Sequence, residues 1–108
     1  MTLNWSDASR DDLRGILVYV GRDFGRLKAE RVLSNIRERA EQLTAFPKLG
    51  RVFAKDHELG ITYRSLTVKL NKIVYYIDGE EINIVTVWQN RQDISRLKKQ
   101  LTRPKVSS

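Results

Sequence analysis

The chain has 108 residues, 41% hydrophobic and 31% charged, with no cysteine and a formal net charge of +7. That length suits one domain with a real core. The composition excludes disulfides and thiolate chemistry, and no apolar run approaches the roughly 20 residues of a membrane-spanning helix. Met1 to Arg10 has neither the basic start nor the apolar stretch of a signal peptide, so the expectation is a cytoplasmic protein.

Thr2 to Trp5 alternates as a short strand with Leu3 and Trp5 on one face. Ser6 stands at an N-cap position ahead of acidic Asp7. Leu13, Ile16, Leu17 and Val20 recur at i, i+3, i+4 and i+7, which predicts an amphipathic helix ending between Gly21 and Gly25. Ala29, Val32, Leu33, Ile36, Ala40 and Leu43 form the stripe of a second helix. Pro47 stops it near Ala45 and Phe46. The short glycine connection predicts an antiparallel helical hairpin.

Lys48 to Gly60 reads as a loop with a short strand or turn. Ile61–Val68, Lys72–Ile77 and Glu81–Trp88 predict three strands, the last two joined by an Asp78-Gly79 turn whose central positions need positive φ. Asp93 caps a final helix, Ile94–Leu101, apolar at Ile94, Leu97 and Leu101. The expected organisation is a single α+β domain over residues 1–101 in the order β-α-α-β-β-β-α. A helical hairpin packs on a small antiparallel sheet, and residues 102–108 form a polar tail.

Charge divides unevenly along this order. Residues 1–47 hold 8 Lys+Arg against 7 Asp+Glu, a balance of +1, and residues 48–108 hold 12 against 6, a balance of +6. The second half therefore reads as a basic face for an anionic target or an acidic protein.

Cofactor chemistry has little support. The one histidine, His57, sits between Asp56 and Glu58 in a loop and is expected to be exposed. No metal-ligand spacing, phosphate loop or Ser-His-Asp arrangement accompanies it, so neither a metal nor a cofactor is expected. Arg64, Lys72 and Arg91 come from three successive strands or their ends and are expected to converge on one sheet face. There they would stabilise charge on a phosphate. Metal-free RNA cleavage also needs an acid and a base, and beyond Arg91 only Asp93 is available. Arg51 and Trp88 join Arg64, Lys72 and Arg91 as candidates for binding a target or nucleic acid. Trp88 either stacks on a base or anchors a partner, or it caps the core. Tyr63, Tyr75 and Tyr76 read as strand packing. Ile94, Leu97 and Leu101 either fold onto their own sheet or meet an acidic, amphipathic partner.

Several motifs succeed one another in a specific order. Trp5-Ser6, Ala8, Asp12-Leu13, Ile16 and Tyr19 precede Leu43-x-x-Phe46-Pro47-x-x-Gly50-Arg51. Arg64-Ser65-Leu66, Lys72 to Tyr76, Ile82-x-Ile84-Val85-x-Val87 and Arg91-Gln92-Asp93 complete the series. Over residues 3 to about 97 the chain resembles the RelE/ParE superfamily of bacterial toxins. The resemblance implies the toxin of a type II toxin–antitoxin (plasmid stabilisation) module, neutralised by a cognate antitoxin whose C-terminal segment wraps it. Ile94, Leu97 and Leu101 are the candidate antitoxin contacts.

RelE-like members cleave mRNA in the ribosome, using basic sheet residues with a C-terminal tyrosine or a histidine–tyrosine pair. ParE-like members poison DNA gyrase and lack that set. By position, Arg64, Lys72 and Arg91 fall where RelE-like enzymes place functional cations. Lys72, however, stands where arginine is common and lacks its bidentate geometry, and Leu97 stands about where the tyrosine is expected. The Arg-Ser-Leu and Val-x-Val-x-x-x-Arg-x-Asp runs resemble ParE-like members, although Trp88-Gln89-Asn90 replaces their more usual Leu-His-Gly-like run. Gyrase inhibition is the favoured expectation. Ribosome-dependent, metal-independent mRNA cleavage is the alternative, and a non-toxic antitoxin-binding domain is a third.

Overall fold

The computed structural model describes residues 1–89; the expected final helix, Ile94–Leu101, lies outside them. Strand β1 (Thr2–Trp5) leads into helices α1 (Asp7–Phe24) and α2 (Arg26–Glu41), then a short 3-10 turn (Gln42–Thr44). Strands β2 (Arg51–Asp56), β3 (Ile61–Val68), β4 (Asn71–Asp78) and β5 (Glu81–Gln89) complete the order. The fold is α+β, two helices on one face of a five-stranded sheet.

Helix α1 begins as its sequence dictates: the Ser6 hydroxyl accepts from the Ser9 N–H at 3.0 Å, and Asp7 sits at the positive end of the dipole. Its buried face is Ser9, Leu13, Ile16 and Val20. Leu17, expected in that stripe, is 39% exposed, because the face in contact with the sheet is narrower than the periodicity allowed. Helix α2 buries Ala29, Leu33, Ile36 and Ala40. Gly25 alone separates the helices, at φ +90°, a conformation that any side chain would strain.

Sheet order is β1-β5-β4-β3-β2, antiparallel throughout except that β1 runs parallel to β5. The short strand or turn expected within Lys48 to Gly60 is β2, an edge strand with a bulge between Val52 and Ala54. The β4–β5 turn falls one residue later than expected. Asp78 pairs with Glu81, so the central residues are Gly79 and Glu80, and only Gly79 has positive φ (+59°). A turn with positive φ at its first central position selects glycine there, which shifts the register by one.

The helix-facing core gathers Leu13, Ile16, Leu33, Ile36, Ile73 and Tyr75 with their neighbours. On the opposite face Tyr63 and Val74 are buried among Phe53, Tyr76, Val85 and Trp88, with the Tyr63 and Tyr76 rings edge-to-face at 6.0 Å. No described helix is long and apolar enough to cross a membrane.

Strand β5 outruns its neighbour. Strand β1 pairs only with Glu81 to Ile84. Beyond it the edge is closed by α1: Ser6 N–H donates to Ile84 O (3.1 Å) and the Ser6 hydroxyl to Val85 O (2.8 Å). One Asp12 carboxylate oxygen accepts from Val87 N–H (2.9 Å) and the Thr86 hydroxyl (2.5 Å). A polar helix start thus substitutes for a missing strand.

Candidate functional site

Register decides which cations share a surface, since directly opposed residues project from the same sheet face. Lys72 opposes Thr67 on one side and Trp88 on the other. It alternates with Ile73, and so lies on the face of Val74, away from the helices. Arg51 opposes Ser65, which opposes Val74, and belongs to that same face. Arg64 opposes Tyr75 and lies on the helix face with Leu66. The expected convergence of Arg64 with Lys72 therefore fails: the two occupy opposite faces. Of the remaining candidates, Arg91, Ile94, Leu97 and Leu101 fall outside the described residues.

Arg64 has a local task. Its Nη1 donates to the Gly50 carbonyl at 2.9 Å. The Tyr75 hydroxyl accepts from Gly50 N–H (2.9 Å) and donates to Pro47 O (2.6 Å). Together they clamp the Pro47–Gly50 loop. Burial pushes the Tyr75 phenol above its ordinary pKa, while the Gly50 hydrogen bond and the Arg64 charge pull the other way. Tyr63 is raised by burial first, then by Asp56 and Tyr76. Both tyrosines work as neutral structural groups, as their strand positions suggested.

Trp88 packs against the Tyr63–Val74 cluster, and its indole N–H is buried with no hydrogen-bond partner. Trp88 is the register partner of Lys72 across the β4–β5 pair. Lys72, Trp88 and Arg51 thus share the helix-free face, with Lys72 and Trp88 paired across β4 and β5 and Arg51 on the edge strand β2, a face suited to an anionic or aromatic surface. His57 is exposed. Among the described residues no group of three or more His, Cys, Asp or Glu could hold a metal ion.

The basic excess is not on the sheet. Residues 1–89 hold 14 Lys+Arg against 12 Asp+Glu, a balance of +2, while residues 90–108 hold 6 against 1, a balance of +5. The second half owes its basic character to the residues beyond β5.

None of the described candidate residues lines a groove of about 340 Å³ between the helical hairpin and the β3–β4 turn. Its lips include Phe24 and Leu70, apolar residues at element ends outside any periodic stripe. Such stranded apolar residues were the available signal.

The family described as "ParE toxin of type II toxin-antitoxin system, parDE" matches residues 3–94. A solved structure described as "Chromosomal ParDE TA system from P. aeruginosa" is similar, with 23% sequence identity and a TM-score of 0.70. The match covers 82% of this chain and 95% of that one, and at this identity it shows the fold alone. No curated protein matches the chain.

Proposed function

Because this chain belongs to the ParE toxin family of type II toxin–antitoxin systems, we propose that it is held inactive by a cognate antitoxin and that its target is DNA gyrase, in the cytoplasm. The observation that supports gyrase over RNA is the division of cations between the two sheet faces. Metal-free RNA cleavage needs cations, an acid and a base gathered within about 3 Å of the reacting atoms. Arg64, tied to the Pro47–Gly50 loop, and Lys72, across the sheet, do not gather that way. Binding to a protein target needs no such convergence. The Arg51, Lys72 and Trp88 patch is the proposed target-contacting surface, with Arg91 added from beyond β5.

The test is controlled expression in cells, following growth, transcript integrity and DNA-damage signalling together. Growth arrest with filamentation, damage signalling and intact mRNA is the expected outcome. Rapid transcript cleavage preceding any damage signal would instead restore the ribonuclease reading. No arrest at full expression would favour a non-toxic binding domain.

A further inference from the structure

Charge on this molecule is sorted along the strand direction. The helical hairpin adds little to the distant field: residues 7–41 hold 8 Lys+Arg against 7 Asp+Glu, a balance of +1. Arg10, Arg14, Arg22 and Arg26 are moreover ion-paired with Asp7, Asp11, Asp23 and Glu30. The sheet is different. Its β2–β3 and β4–β5 turns lie at one end, because β3 and β4 are antiparallel with Asp56 opposite Ile61 and Asp78 opposite Glu81. Residues 56–60 and 78–81 hold Asp56, Glu58, Asp78, Glu80 and Glu81 and no Lys or Arg. Lys55 and the Met1 amine offset part of that charge.

The opposite end is cationic. Lys69 forms the β3–β4 turn there, and Lys72 follows at the start of β4. Lys28 and Arg31 of α2 stand at this end too, sharing a lining with Lys69 and Gln89. Gln89, opposite Asn71, brings β5 to its close at the same place. The chain therefore leaves the described body on its cationic side, and residues 90–108 carry 6 Lys+Arg against 1 Asp+Glu. Strands of 8 and 9 residues separate the two ends by about 25–30 Å, roughly three Debye lengths at physiological salt. A polyanion docked at the cationic end is thus screened from the acidic turns.

Duplex DNA fits that end best. It carries about one charge per 1.7 Å of axis, and lysine and arginine neutralise it without stacking. Sequence-tolerant capture of a single strand relies on aromatic platforms. Residues 90–108 contain no Phe, Trp or Tyr, and Trp88 is packed against the Tyr63–Val74 cluster with its indole N–H buried. We propose that the chain itself binds duplex DNA through the phosphates, with Lys72 and the cations of residues 90–108 neutralising them and the acidic turns held away. The inference does not rest on the gyrase reading. Where both hold, the DNA is the target enzyme's own substrate, and the contact brings the chain to it.

The probe is a labelled duplex of about 20 base pairs and arbitrary sequence, followed by fluorescence anisotropy with the full chain and no other protein. If about five phosphates are neutralised, log affinity should fall against log salt with a slope of about −4 to −5. Lys98→Gln with Lys99→Gln should flatten that slope by about 2 and weaken binding at least about tenfold, and Lys72→Gln should flatten it by about 1. The deciding variant adds Glu58→Gln and Glu80→Gln, two exposed residues of the acidic turns, to the double lysine change, which restores the net charge to +7. It should bind as weakly as the double variant, because the removed acids lie at the far end.

Recovery of native affinity in that variant would mean that net charge alone governs binding, and overturns the proposal. So does a slope flatter than about −2, or one that the lysine changes leave unmoved. Tighter binding of a single strand of the same length, or of phosphatidylserine vesicles at equal salt, would assign the cationic end to another anion and overturn it as well. Gyrase is absent from the assay, so failure of the gyrase reading leaves the DNA result standing, and the reverse holds too.

Discussion

The Tyr75 hydroxyl satisfies two backbone groups of the Pro47–Gly50 loop at once. Tyr75→Phe keeps the ring and removes both bonds. It should destabilise by about 1–3 kcal/mol because the Gly50 N–H is left buried and unpaired, and calorimetry should record a lower Tm. The same hydroxyl makes a pH prediction. Its folded pKa is raised, so the folded chain holds a proton that the unfolded chain gives up sooner. The corresponding stability is complete below the ordinary phenol value of about 10 and is lost as pH rises beyond it. Tyr75→Phe should therefore lose stability less steeply above pH about 10 than the native chain. Equal alkaline slopes would refute that. Gly50 itself leaves no space: a Cβ there would lie 2.7 Å from the Tyr75 ring and 2.9 Å from the Ser65 carbonyl oxygen. Gly50→Ala should destabilise by about 1–3 kcal/mol. Gly15→Ala, in α1 with nothing within 4 Å, should stabilise by about 0.5–1 kcal/mol. Denaturant midpoints moving in the same direction for both would contradict this contrast.

Among the elements, the start of α1 and the outer half of β5 depend on each other. Asp12→Ala leaves the Val87 N–H and the Thr86 hydroxyl without their shared acceptor. A loss of about 1–3 kcal/mol is expected, with faster amide exchange at Val87 than at Ile84. Asp12→Asn retains an oxygen acceptor and should lose less. If Asn and Ala cost the same, the hydrogen bonds are not what holds the edge. Most elements were legible because their apolar residues keep a strict period, as in Leu33, Ile36 and Ala40 or in β5. Strand β2 was legible only as a short strand or turn within Lys48 to Gly60, because its bulge breaks the alternation and Arg51, Val52 and Lys55 are exposed on an edge. The clamp was half legible. Phe46-Pro47-x-x-Gly50-Arg51 stands out as a motif, but its partner Tyr75 lies 25 residues beyond Gly50, a distance that only the folded register spans. Arg64 and Lys72 carry the same lesson: each was recognised as a strand cation, and only the pairing of β3 with β4 assigns them opposite faces.

At the scale of the whole molecule, a nearly neutral body at +2 precedes a segment at +5. Long-range attraction to an anionic target would thus come chiefly from residues after β5, while the body supplies shape: the Arg51, Lys72 and Trp88 patch on one face and the groove beside the other. The helical hairpin and α+β organisation are legible in the sequence. The residues that line the groove are not, because Phe24, Lys28, Leu70 and Asn71 come from the end of α1, the start of α2, the β3–β4 turn and the start of β4, with no common period. Among the described residues Arg64 and Lys72 lie on opposite sheet faces, in keeping with the proposed reading of a toxin that acts by binding. The most direct measurement is a supercoiling assay in which the purified full chain is titrated into DNA gyrase and relaxed plasmid. Loss of supercoiling with accumulation of cleaved plasmid is predicted; undiminished supercoiling at saturating protein would contradict the account.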